Sequence, residues 1–144
     1  MFVRPSQAIP WQVLICLALC GAGGCGSKSA APEEMSQFRA LGVIYSQYMG
    51  QHQGKPPASK EQLAEFIASA GGGVRQRFNV GEGVDLLISP RDNQPLTLVS
   101  APKPPLNGDC IVAYETEGAD GTQIAISAMG GVQVIPAAEL PNRL

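Results

Sequence analysis

Residues 111–135, IVAYETEGADGTQIAISAMGGVQVI, decide the fold. The apolar stretches Ile111–Tyr114, Thr122–Ala128 and Val132–Ile135 are separated by turn signals at Glu117–Gly121 and Met129-Gly130-Gly131. Short β-favouring runs broken by glycine-rich turns read as antiparallel strands joined by hairpins. Side chains alternate along a strand, so Ile124 and Ile126 share one face of the middle run. Upstream, Leu96–Val99 reads as the preceding strand, and residues 101–108, APKPPLNG, as a proline-rich connection without a core of its own. Val84, Leu86, Leu87 and Ile88 form a further short β-type run, stopped by the polar turn Ser89-Pro90-Arg91-Asp92-Asn93. Downstream, Pro136–Leu140 reads as one closing helical turn with proline at its first position.

Before the strands the period changes. Met35, Phe38, Leu41, Ile44 with Tyr45, and Tyr48 with Met49 recur every three or four residues, as on one face of a helix. Glu33 and Glu34 favour its N-terminus through the helix dipole, Gly42 costs about 1 kcal/mol relative to alanine, and Gly50, Gly54 and Pro56-Pro57 end it. The aromatic residues of this face read as packing against a sheet rather than as a binding stripe. Ser59-Lys60-Glu61-Gln62 has capping-box spacing. Leu63, Phe66 and Ile67 make the apolar side of a short second helix ending near Ser69, broken by Gly71-Gly72-Gly73. No strand precedes that triple glycine and no Lys-Ser/Thr follows it, so it is not a phosphate loop. The order predicts an α+β fold: an N-terminal helix, with a short second helix, packed on an antiparallel β-meander of four or five strands.

The N-terminus is of another kind. Trp11–Cys25 reads WQVLICLALCGAGGC: an apolar run of about ten residues, then small residues, then cysteine. A helix crossing a membrane needs ~20 apolar residues, so this run is half the length, and Arg4 is the only charge before it. It fits the apolar region and cleavage site of a secretory signal. A buried core helix of this length is expected to be amphipathic, and this run is apolar on nearly every face. Ala22-Gly23-Gly24-Cys25 resembles the lipobox of bacterial lipoproteins, with Ala22 where the usual motif carries leucine. That resemblance implies cleavage between Gly24 and Cys25 and a fatty-acylated Cys25, palmitate-type, as the first mature residue. Cleavage without lipid is the competing reading. Cys16 and Cys20 follow bulky Ile15 and Leu19 and are poor lipidation positions. The expected organisation is a signal peptide at 1–24, a lipidated tether at 25–34 (small, polar, proline-containing) and one domain at 35–144.

With Arg4 removed, nine basic residues face twelve acidic ones, a balance that favours neither nucleic acid nor an anionic membrane surface. Cys110 is then the remaining thiol, with no intramolecular partner, and its place beside Ile111-Val112-Ala113 reads as buried and inert. His52 is the only histidine, so it alone would serve a Cys-His or Ser-His-Asp arrangement, and no spacing ties it to Cys110. One histidine and one cysteine do not make a zinc site. Glu115, Glu117 and Asp120 read as a solvated acidic turn, with a weak calcium site as the alternative. No catalytic residues, metal or cofactor are expected.

Gln37–Pro57, QFRALGVIYSQYMGQHQGKPP, followed by SKEQLAEFI, resembles the globular head of type II secretion pseudopilins and related prepilin-like proteins. The Ser89–Asp92 turn and the strand carrying Tyr114-Glu115 fit the same family. Met129-Gly130-Gly131-Val132-Gln133 stands where relatives carry an Asp-Gly-His-Val-Glu-like box, so Met129 and Gly131 replace its Asp and His. The resemblance implies a pilin-head-like fold that contacts other proteins. Pilins also carry a prepilin cleavage site and a long apolar assembly helix, and here Cys25 stands where that helix would begin. The expected function is therefore a non-catalytic, lipid-anchored envelope protein, with a periplasmic or surface small-ligand-binding lipoprotein as the alternative. Gly26 and Ser27, rather than aspartate, follow Cys25, which under the enteric sorting rule favours the outer membrane over the inner.

Overall fold

The first helix, α1 (Pro32–Gln51), takes in Pro32–Glu34, the last residues of the expected tether, with proline in the first turn where its missing N–H costs nothing. In the computed structural model the described residues are 32–100, 102 and 110–144. The signal segment, Cys25 and the connection 101–108, apart from Pro102, lie outside them. Phe38, Leu41, Ile44, Tyr45 and Tyr48 of α1 are all buried, so its periodic face is core. No helix among the described residues is long and apolar enough to cross a membrane.

The second helix, α2 (Lys60–Ala70), starts as its capping pattern requires: the Ser59 hydroxyl accepts the Gln62 N–H at 3.3 Å. The Gln62 side chain reaches one residue past the cap, accepting the Ala58 N–H at 2.8 Å. The triple glycine is a joint between helices rather than a break. Gly71 donates its N–H to the Ile67 carbonyl and its own carbonyl accepts the Arg75 N–H, so it ends α2 and opens α3 (Gly72–Arg77). A Cβ at Gly71 would lie 2.3 Å from the Ile67 oxygen, which explains the glycine. Arg75 of α3 donates to the Gly81 and Val84 carbonyls at 3.0 and 2.7 Å.

Residues 84–88 form a loop rather than a strand, turning at Leu86-Leu87 and making a single antiparallel bridge from Ile88 to Pro95. Asp85 accepts the Leu87 N–H at 2.8 Å, a local side-chain bond that competes with extended pairing. Leu86 and Leu87 are both buried. From α1, Gln37 Nε2 donates to the Asp85 and Ile88 carbonyls at 2.9 and 2.6 Å and holds this loop on the core.

The strands β1 (Thr97–Leu98), β2 (Ile111–Tyr114), β3 (Thr122–Ser127) and β4 (Val132–Pro136) pair antiparallel in chain order, a simple meander. Ile124 and Ile126 face α1, as their alternation predicts. The opposite face is also covered: Ala125 and Ile135 pack with Leu140, Tyr114 and Leu144. Pro136 belongs to β4, and the closing turn is a 3-10 helix at Leu140–Asn142 with Pro141 in its first turn, later than expected.

α1 and the β3–β4 turn touch almost without side chains. A Cβ on Gly42 would stand 2.8 Å from the Gly130 Cα and 3.1 Å from Ile126 Cγ2. The mid-helix glycine is there because the hairpin lies against it.

Candidate functional site

The densest polar constellation lies where the 89–94 loop meets the β2–β3 turn. The loop closes on itself: Ser89 N–H donates to the Gln94 carbonyl at 2.9 Å, and Asn93 N–H to the Ser89 carbonyl at 3.0 Å. The Ser89 hydroxyl accepts the Arg91 N–H at 3.1 Å, and Asp92 accepts the Gln94 N–H at 3.0 Å. These Asx- and Ser-type bonds present Arg91 towards the sheet.

Glu115 immediately follows β2 and is fully buried. Its N–H donates to the Ile124 carbonyl at 3.0 Å, as the ladder expects. The return bond is different. Ile124 N–H donates to Glu115 Oε2 at 2.7 Å, and the displaced Glu115 carbonyl accepts Gln123 Nε2 at 2.7 Å. The carboxylate has taken a main-chain carbonyl's place in the sheet. Arg91 Nη1 donates to the same Oε2 at 2.8 Å, and the Ser89 hydroxyl donates to Oε1 at 2.6 Å. Arg91 Nη2 continues to the Ala119 carbonyl at 3.0 Å and Thr122 Oγ1 at 3.1 Å. Asp92 completes the junction by accepting the Gly118 N–H at 2.8 Å. Burial pushes the Asp92 carboxyl up, but the N–H groups of Gln94 and Gly118 outweigh it and hold its pKa below the usual value.

This corrects the solvated acidic turn expected from Glu115, Glu117 and Asp120. Glu117 and Asp120 are exposed, while Glu115 turns inward and pairs with Arg91, whose side chain is 7% exposed. Both carboxylate oxygens of Glu115 are engaged, so what the constellation supplies is attachment of one loop to one hairpin. The missed signal was phase: two residues after buried Ala113, Glu115 continues the same side of β2, so an inward acid demanded an inward base.

The other candidates lie apart. His52, at the end of α1, stacks on Tyr48 with ring centroids 3.9 Å apart. Its Nδ1 is 2.8 Å from the Tyr48 carbonyl, which only accepts, so that nitrogen carries the proton. Tyr48, His52, Lys55 and Gln62 line a shallow hollow of about 420 Å³, and Tyr45, Pro57, Lys60 and Leu98 a neighbouring one of about 200 Å³. Cys110 is partly buried against the main core. Tyr45 nearby has its phenol pushed up to about 12 by burial, then by Cys110 and Tyr48. No group of three or more metal-ligating side chains occurs among the described residues. Gly24 and Cys25, the expected cleavage and lipidation residues, lie outside them.

No family model, curated protein or solved structure matches this chain.

Proposed function

We propose that this is a non-catalytic, lipid-anchored protein of the bacterial cell envelope, whose pilin-head-like domain makes contacts with other proteins. The observation that carries the reading is Ala22-Gly23-Gly24-Cys25 directly after the apolar run Trp11–Cys20. α1 begins at Pro32, seven residues beyond Cys25, and at ~3.3–3.6 Å per extended residue the domain sits within about 25 Å of the bilayer surface. At that distance the head is placed for partners in or beside the membrane. The Ser89–Arg91–Glu115 constellation supports the non-catalytic part, because its charged groups are consumed in joining loop to hairpin. The ligand-binding alternative needs a pocket between the Phe38–Tyr48 face and the sheet, and Leu41, Ile44 and Tyr45 pack there against Val112 and Ile124.

Metabolic labelling with an alkyne palmitate analogue tests the anchor. Wild type is expected to take up label and partition into membranes, and Cys25→Ala to do neither. Equal labelling of the two removes the anchor, and the envelope reading with it.

A further inference from the structure

Two buried phenols have nothing in the domain to bond to. Tyr45 and Tyr48 are 1% and 3% exposed, and neither hydroxyl has a hydrogen-bond partner among the described residues. Folded proteins rarely leave a buried polar group unpaired, so each such group asks what it serves. The other buried polar side chains described, Gln37, Ser89, Glu115, Gln123 and Ser127, are all bonded. Tyr48 lines the larger of the two hollows at the end of α1, Tyr45 lines the smaller, and the hollows adjoin across Ala58. Both rings are rooted on the buried face of α1, so what reaches a surface hollow is the hydroxyl end. The charged side chains of the two linings are Lys55 and Lys60, and no carboxylate lies among them. Glu61, next to Lys60, is outside both linings and spends its carboxylate on the Ser59 hydroxyl and its own N–H.

We propose that the two hollows form one binding site for a small organic carboxylate, whose oxygens accept the Tyr45 and Tyr48 hydroxyls while its apolar body lies against Pro57, Ala58 and Leu98. Together the hollows fall within the range of about 300–1,000 Å³ usual for small-molecule sites, and they share the usual character of apolar walls with a few polar groups. Burial keeps the Tyr45 phenol protonated far above neutral pH, so it meets a ligand as a donor. Two donors flanked by two ammonium groups call for an acceptor with negative charge, and hydrogen bonds to an ionised acceptor are the stronger kind. The site lies beside the turn from α1 to α2, outside the filled interface between the α1 face and the sheet. It does not depend on Cys25.

The full chain in detergent, titrated with sodium benzoate at constant ionic strength, is expected to show saturable amide shifts at residues 55–62 and 98–100. Combining Tyr45→Phe with Tyr48→Phe removes only the two hydroxyls and should raise the benzoate dissociation constant at least about tenfold. The same double variant should keep or raise the urea midpoint of the free protein, because a buried hydroxyl without a partner stabilises nothing. Benzamide has the shape of benzoate without its charge, and inorganic phosphate has charge without an apolar body; both should bind at least about tenfold more weakly than benzoate. Absence of saturable shifts overturns the proposal, and so does benzoate binding that ignores the loss of the hydroxyls. A lower urea midpoint in the double variant also overturns it, since the phenols would then have a partner within the chain. Benzamide or phosphate binding as tightly as benzoate removes the carboxylate or the apolar contact, and the proposal with it.

Discussion

At Thr122 the third strand begins among charged groups; at Ser127 it ends against a helix with two glycines between them. The first end is held by a guanidinium, a carboxylate and a hydroxyl, each in bonding distance of a named partner. The second is held by the approach of the Gly130 backbone to Gly42, where one added carbon would be too many. The charged junction depends on completeness: a buried ion pair gains little over apolar packing, but losing one partner strands the other. The glycine contact depends on shape, and nothing in it is left unsatisfied when it loosens. The two ends of one strand therefore fail in different ways and by different amounts.

The largest effect is expected at the charged end. Glu115→Gln keeps the shape but leaves Arg91 as an uncompensated, nearly buried cation. Breaking such a pair costs about 3–5 kcal/mol, against a total stability of about 5–15 kcal/mol for a domain of ordinary size. The urea midpoint should fall accordingly, and Arg91→Lys should fall with it, because an ammonium cannot span Glu115, Ala119 and Thr122 as the planar fork does. The exposed pair Arg143–Glu139, 3.9 Å apart, marks the contrast: Glu139→Gln should change stability by less than about 1 kcal/mol. If Glu115→Gln proves as mild, the carboxylate is not holding the hairpin.

At the other end the same substitution should have opposite signs at two places in α1. Alanine is preferred to glycine in a helix by about 1 kcal/mol, and at Gly50, which has nothing within 4 Å, Gly50→Ala should gain part of that. At Gly42 the new methyl meets Gly130 at 2.8 Å, and that neighbour is backbone in a turn with φ of +81°. Overpacking costs typically about 1–3 kcal/mol, which outweighs the propensity gain, so Gly42→Ala should lower the midpoint. A rise at both positions would mean that the hairpin tip swings away from α1 at little cost.

Periodicity made most of this architecture readable. The α1 face, the Ser59 cap and the three C-terminal strands stand where apolar spacing and turn residues put them, because in each the local pattern and the burial agree. Reading failed where backbone hydrogen bonds go to unexpected partners. Residues 84–88 look like a strand by content, yet Asp85 and Gln37 satisfy them as a loop. Gly71 looks like a helix breaker and joins two helices. Glu115 looks like surface charge, because composition does not say that Arg91, 24 residues earlier, will face it. Cys25 was legible as a motif and lies beyond the described residues.

The smallest effect separates the two ends by pH, since only the charged end titrates. Asp92 accepts N–H groups from Gln94 and Gly118, and these hold its folded pKa below the usual 3.8. A carboxyl whose pKa is lower in the folded chain contributes stability that is present above the unfolded value and lost as the pH falls through the folded one. Acidification below about pH 4 should therefore loosen the 89–94 loop from the hairpin. Asp92→Asn keeps one acceptor oxygen but no charge, so it should be slightly less stable than wild type near neutrality, with the gap narrowing towards pH 3. Urea midpoints of both proteins at the two pH values measure this, and the difference between them removes what the other carboxylates contribute. A constant gap would show that the Asp92 hydrogen bonds, rather than its charge, tie the loop down. The Gly42 contact should be indifferent throughout: Gly42→Ala and wild type ought to lose stability in parallel as the pH falls, which assigns any divergence to the charged end alone.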